Sequence, residues 1–343
     1  MSRGLARCAI AFDIDGVFWR SPNVFSFTKS VFERVKEKGV PFVLLTNGGG
    51  ATEGEKAKKL GQIFDAQLRE SQVILAHTPL RQRVEQLKDR LVLVAGNKDV
   101  HHVAHHYGLK RVINASEVIG AHPSIYPFSS QHKLSPQHRS LKEITSYHPS
   151  DIEAICVLDD GECWGSEIQL IIDCLFRNVC LMFDNFALFA KMVTRNIHIR
   201  KKKKKKENSW QKARQCKSST NIFFQSTSVC PIWKTYSAHD ASLCVLIFFN
   251  ANEHQAQNNS NYAQNTLNEE ARKLGYDGVD AKSCYMIGDN PYTDIAGGNN
   301  IGWNTILVKT GVYNDTHTFD GNPTFKCQNV DDAVRLVFSK HLS

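Results

Sequence analysis

The chain has 343 residues, 42% hydrophobic and 22% charged, the make-up of a globular protein with enough length for two domains. Its net charge of +8 does not describe a basic face, because residues 201–206 are six consecutive lysines and without them the balance falls to +2. The ten cysteines contain no Cys-x-x-Cys pair, which excludes a zinc ribbon or a small disulfide scaffold, and the longest apolar run, Leu243 to Phe249, is too short to span a bilayer.

"RCAIAFDID" (7–15) reads as a buried strand, a continuous apolar run ending in polar residues. "TKSVFERVKEKG" (28–39) reads as a helix with Val31, Phe32 and Val35 on one face and Gly39 as its stop. "VPFVLLTNGGG" (40–50) is a second buried strand running into a polar, glycine-rich loop. Strand, helix and strand at this spacing form a βαβ unit with parallel strands. Asp13, Asp15, Thr46 and Asn47 then share the sheet edge at which open α/β folds bind ligands.

From about residue 71 an α/β pattern restarts. "TPLRQRVEQLKD" (78–89) and "KDVHHVAHHYG" (98–108) read as helices, "LVLVAG" (91–96) and "IEAICVLDD" (152–160) as strands, and "WGSEIQLIIDCLF" (164–176) as a further helix. The histidine pairs His101/His105 and His102/His106 have helical metal-pair spacing, but no second ligand set is near, so an exposed helix face explains them better. Asn114-Ala115-Ser116 matches a glycosylation pattern of little weight without a secretory signal. Asp159, Asp160 and Glu162 at a strand end read equally as a specificity loop or as turn chemistry.

Residues 196–264 show no sustained period, and a structureless stretch this long is unusual inside a compact domain. Order returns at "TLNEEARKLGY" (266–276), where Thr266 and Glu269 form a capping-box pattern that predicts a helix start. "SCYMIGDNPYTDIAGG" (283–298) repeats the opening theme: a buried strand, Gly288-Asp289 at its tip, and Asp294 five residues on. "NTILVKTGVY" (304–313) reads as a strand and "VDDAVRLVFSKHL" (330–342) as the last helix. Four carboxylates at one sheet edge repel unless a divalent cation sits among them, and few, hard oxygen ligands suit magnesium.

"DIDGV", "LLTNG" and "GDNPYTDI", in this order and each after an apolar strand, resemble motifs I, II and IV of the haloacid dehalogenase-like hydrolase superfamily. An α/β module between motifs II and IV resembles the NagD-like branch with a type-II cap. "LLTNGGG", "QVILAHTPL" and "GDNPYTDIAGGNNIGW" narrow the resemblance to the domain-containing protein 5 group. It implies an α/β fold: a Rossmann-like parallel-sheet core, residues 1–70 and 263–343, with an inserted α/β cap, 71–195. It implies Asp13 as nucleophile, Asp15 as general acid and base, and Thr46, Asn47 and Gly48 as phosphate-binding residues. Magnesium would be held by Asp13, the Asp15 carbonyl, Asp289 and Asp294.

The family also uses a motif III lysine in a Gly-Lys-Pro turn, here expected near 250–256, yet no lysine occurs between Lys234 and Lys273. The gap coincides with the lysine-rich tract 196–262, read as either a disordered insert or the product of a mis-joined gene model. Expected function is a magnesium-dependent phosphatase of small phosphorylated metabolites acting through an aspartyl-phosphate and slowed by the missing lysine. The alternative is a weak or inactive member that serves as a binding or scaffold protein. A homodimer through the cap is compatible with the resemblance, while no nucleic-acid partner and no membrane span are expected. The resemblance implies mitochondrial residence, with cytoplasmic residence as the alternative expectation; the "MSRGLAR" ahead of the first strand shows no signal peptide or clear transit pattern.

Overall fold

The computed structural model describes residues 4–96, 100–126, 149–159, 164–175, 180–183, 254–313 and 322–342. The chain divides into two compact units, Met1–Pro79 with Asn252–Ser343, and Leu80–Ala251. The first unit opens with β1 (Ala9–Asp13), a two-stranded hairpin of β2 (Trp19–Arg20) and β3 (Asn23–Val24), α1 (Thr28–Glu37), β4 (Phe42–Leu45), α2 (Glu53–Phe64) and β5 (Val73–Ile74). The second unit holds α3 (Val84–Leu87), β6 (Leu91–Ala95), α4 (His101–His106), β7 (Arg111–Asn114), α5 (Ala115–Ala121), β8 (Ala154–Val157), α6 (Trp164–Leu175) and β9 (Cys180–Phe183). The chain returns to the first unit with α7 (His254–Lys273), β10 (Cys284–Gly288), α8 (Ala296–Asn300), β11 (Asn304–Val308), β12 (Phe325–Cys327) and α9 (Val330–His341).

The first unit is a six-stranded sheet in the order β12-β11-β10-β1-β4-β5, with every neighbouring pair parallel. β1 lies at its centre, and Ala9, Ile10, Ala11 and Phe12 are buried, as a strand covered on both faces requires. On one face Phe12, Phe18, Phe32 and Phe64 form a ring cluster, with Phe18 and Phe32 stacked at 4.7 Å and Phe12 edge-on to Phe18 at 5.2 Å. Phe18 thereby anchors the loop that follows the strand tip. α1 buries Val31, Phe32 and Val35, and its end is marked by Gly39 at φ +60°, as the sequence pattern predicts.

The second unit has its own four-stranded parallel sheet, β7-β6-β8-β9, with apolar clusters on its two faces. Two of its histidines are engaged locally: Nδ1 of His105 meets the Leu109 carbonyl at 2.8 Å, and His101 faces the buried Glu117 carboxylate at 3.2 Å. Asn114 is an N-cap, accepting the Glu117 N–H at 2.8 Å, so the glycosylation-like triplet is a helix start.

Several expected boundaries are corrected. The core does not end at 70, because Val73–Ile74 pairs with Leu44–Leu45 as the edge strand of its sheet; two apolar residues are too short a run to stand out in sequence. The core resumes before 263, and the tract 196–262 does not run to 262, because α7 already starts at His254. Thr266 is not a helix start: its hydroxyl donates to the Tyr262 carbonyl at 2.9 Å within the helix. The helix is extended N-terminally because Ala263, Leu267 and Ala271, spaced at i, i+4 and i+8, pack on Ala9, Ala11 and Met286 of the sheet. "TPLRQRVEQLKD" forms a tight turn of helix, Thr78–Gln82, and the short α3 rather than one helix. Asp160, Glu162 and residues 196–253 of the lysine-rich tract lie outside the described residues.

Candidate active site

The register of the central strands builds the site. Phe12 of β1 is level with Ile287 of β10 and Leu44 of β4, so the three chains emerge side by side at the carboxyl edge. Asp13 ends β1, Asp289 follows β10 and Thr46 follows β4. The chain leaves β1 through Gly16 at φ +81°, a conformation that glycine adopts without strain, and the Gly16 N–H closes the turn on the Trp19 carbonyl at 2.8 Å.

Asp13, Asp289 and Asp294 each bring one carboxylate oxygen within 4.8 Å of the others. Two further glycines make room for them. A Cβ on Gly311 would lie 1.7 Å from Asp289 Oδ2, and one on Gly288 would lie 2.2 Å from Asp294 Oδ2. Asp294 Oδ2 accepts the Asn290 N–H at 2.9 Å and its Oδ1 accepts the Thr293 hydroxyl at 2.9 Å, while Asp289 accepts the Val312 N–H. Burial pushes Asp13 well above the usual carboxylate range, and the charges of Asp294 and Asp289 add to it. Burial likewise raises Asp289, against the Val312 N–H and the Arg20 charge, and raises Asp294 to about 7 against the Asn290 N–H. Three converging oxygen donors that are reluctant to ionise together form a donor set that fits a small, hard divalent cation.

A cavity of about 560 Å³ opens over this cluster. Every residue picked from the sequence lines it: Asp13, Asp15, Thr46, Asn47, Gly48, Asp289 and Asp294. Asp15 is solvent-exposed and its carboxylate is not part of the three-carboxylate group. The Thr46 oxygen accepts the Gly48 N–H at 3.1 Å, which leaves its O–H for an outward donor bond.

Sequence reasoning missed Trp19, Arg20, Gly311 and Val312, which also line the cavity. The Arg20 guanidinium, on the β2–β3 hairpin, donates to the Gly311 carbonyl. Nothing in a two-residue strand announces itself, although "TGVY" right after an apolar strand was a signal for Gly311. Lys273 does not face the cavity: its ammonium is held by Glu270 at 2.7 Å and Ser71 at 2.8 Å, and Glu270 also pairs with Arg69.

Residues 10–110 match the family described as haloacid dehalogenase-like hydrolase, and residues 260–333 match a second, HAD-hydrolase-like family. The chain belongs to the haloacid dehalogenase-like hydrolase superfamily. It is 26% identical over 371 residues to a mitochondrial hydrolase of Saccharomyces cerevisiae, covering 98% of this chain and 96% of that one. Its fold is shared by a hypothetical protein of Pyrococcus horikoshii OT3 (TM-score 0.55, 15% identity, 96% of this chain and 99% of that one). It is shared as well by a p-nitrophenyl phosphatase of Archaeoglobus fulgidus (TM-score 0.53, 14% identity, 96% and 98%). Motifs I and II lie in the first matched segment and motif IV in the second, the order in which β1, β4 and β10 bring them to one edge.

Proposed function

We propose that this superfamily member is a magnesium-dependent phosphatase of small phosphorylated metabolites, of the NagD-like branch and the domain-containing protein 5 group. The observation that carries the proposal is the convergence of the Asp13, Asp289 and Asp294 carboxylates beside the Thr46–Gly48 loop in one cavity. Asp13 attacks phosphorus, the bond from phosphorus to the leaving oxygen breaks, and Asp15 gives that oxygen a proton. Asp15 then takes a proton from the water that attacks the aspartyl-phosphate, and cleavage of the bond from phosphorus to the Asp13 oxygen returns phosphate and the free carboxylate. The exposure of Asp15 suits this exchange with solvent water. The Thr46 hydroxyl, with Asn47 and Gly48, orients the phosphoryl oxygens. Magnesium held by Asp13, Asp289, Asp294 and the Asp15 carbonyl would supply charge neutralisation between nucleophile and phosphate.

No lysine occurs from 235 to 272, so turnover is expected about 10²–10³ below that of an intact site, the usual effect of one lost electrostatic stabiliser. That absence is also what favours the alternative, a binding or scaffold protein built on an inactive site. The second unit is proposed as the cap, through which a homodimer would form, and mitochondrial residence is proposed from the named relative. The test is single-turnover kinetics with p-nitrophenyl phosphate. A magnesium-dependent phosphorylated enzyme that Asp13→Asn abolishes supports the phosphatase. Tight phosphate-ester binding with no covalent product in the native chain supports the alternative.

A further inference from the structure

The described lining of the cavity holds four aspartates and one cation, Arg20. Arg20 serves the Asp289 side, where its charge opposes the rise in the Asp289 pKa and its guanidinium is committed to the Gly311 carbonyl. In the strand order β10-β1-β4, the Thr46 loop lies on the other side of Asp13 from Asp289. A second cation, the Lys56 ammonium, stands beside that loop. A methyl group built on Gly48 would lie 3.4 Å from Thr46 Oγ1 and 3.8 Å from Lys56 Nζ. The hydroxyl and the ammonium therefore flank one small space, and Gly48, which lines the cavity, leaves it open.

Lys56 reaches this position from the first turn of α2. Thr52 caps the helix and is engaged with Glu55, its hydroxyl accepting the Glu55 N–H at 3.3 Å and its own N–H donating to the Glu55 carboxylate at 2.8 Å. Helix capping thus fixes the register of the turn that carries Lys56. A cation in the first turn opposes the helix dipole, so helix stability alone does not favour a lysine there. Its half-buried placement contrasts with Lys58 and Lys59 of the same helix, which are exposed.

We infer that Lys56 is the phosphoryl-binding cation of this site, donating from Nζ to a non-bridging oxygen in the place of the lysine absent from 235–272; this rests on the phosphatase reading above. The turnover that remains in the chain then depends on Lys56.

The full chain is compared with Lys56→Met, Lys56→Arg and, as a helix-charge control, Lys59→Met. Three quantities are measured: kcat and KM for p-nitrophenyl phosphate, calorimetric affinity for inorganic phosphate with magnesium, and magnesium affinity alone. Lys56→Met is expected to weaken phosphate binding and to lower kcat by about tenfold or more, the worth of one charge-assisted hydrogen bond. Magnesium affinity stays within twofold, Lys56→Arg recovers part of the loss, and Lys59→Met matches the native chain. Phosphate affinity and kcat both unchanged in Lys56→Met overturn the assignment. A native chain with no turnover and no phosphorylated enzyme refutes the phosphatase reading instead, and phosphate affinity still decides Lys56: a tenfold loss sustains it, no loss or no native binding overturns it. If Lys56→Met does not fold, Lys56→Gln is judged by the same criteria.

Discussion

Gly311 offers a sharp test of the carboxylate cluster. Gly311→Ala adds one methyl group, which would lie 1.7 Å from Asp289 Oδ2, 2.2 Å from its Cγ and 2.6 Å from its Cβ. No rotamer adjustment of the methyl is available, and three contacts this short expel the whole carboxylate. Gly311 itself is not among the glycines with positive φ, so the substitution carries no backbone penalty of the left-handed kind. The cost is overpacking, about 1–3 kcal/mol of stability. The functional cost is larger in proportion, because the Asp289 oxygen leaves a three-carboxylate group and gives up the Val312 N–H. Removing even an outer partner of a metal site costs about 10–100-fold in affinity, so losing one of three carboxylates should cost at least that. Titration calorimetry with magnesium, paired with thermal unfolding in chelator, separates the two effects. Gly302→Ala is the control: its Cβ meets nothing within 4 Å, so it pays only for φ +76° and should bind magnesium normally. Magnesium affinity in Gly311→Ala within twofold of the native value would refute the assignment of Asp289 to the metal.

The remaining predictions concern stability. Phe18→Ala removes a fully buried ring packed on Phe12, Phe32 and Phe64 and should destabilise the first unit by about 3–5 kcal/mol, measured by denaturant unfolding. Glu270→Gln removes the buried negative charge that pairs with Arg69 and Lys273 and should cost about 3 kcal/mol, the low end for such networks because both cations are half exposed and return to water. Burial raises the Glu270 pKa, but the Lys273, Arg69 and Ser71 hydrogen bonds outweigh it and hold it below the ordinary glutamate value. The folded value is the depressed one, so this stabilisation is complete above the unfolded pKa and fades as pH falls through the folded one. Chemical denaturation from pH 7 to pH 3 should therefore show the native chain converging on Glu270→Gln at the acid end, and a gap that widens on acidification would contradict the network's sign.

The sequence by itself determined the strands that carry chemistry. Apolar runs buried on both faces leave no choice but a parallel sheet, and "DID", "TN" and "GD" at their ends fix Asp13, Thr46 and Asp289 at one edge by topology alone. Gly39 as a helix stop was legible for the same reason: the requirement is local. What lay beyond reach was set by neighbours distant in sequence. Val73–Ile74 becomes a strand because Leu44–Leu45 offers a free edge, and α7 runs through Thr266 because Ala263, Leu267 and Ala271 find a sheet to pack on. The close fit of Gly311 around Asp289 and the reach of Arg20 from its hairpin depend on segments brought together only when the sheet assembles. Charge and identity are written in one dimension, but the distance between two side chains on different strands is decided by packing in three.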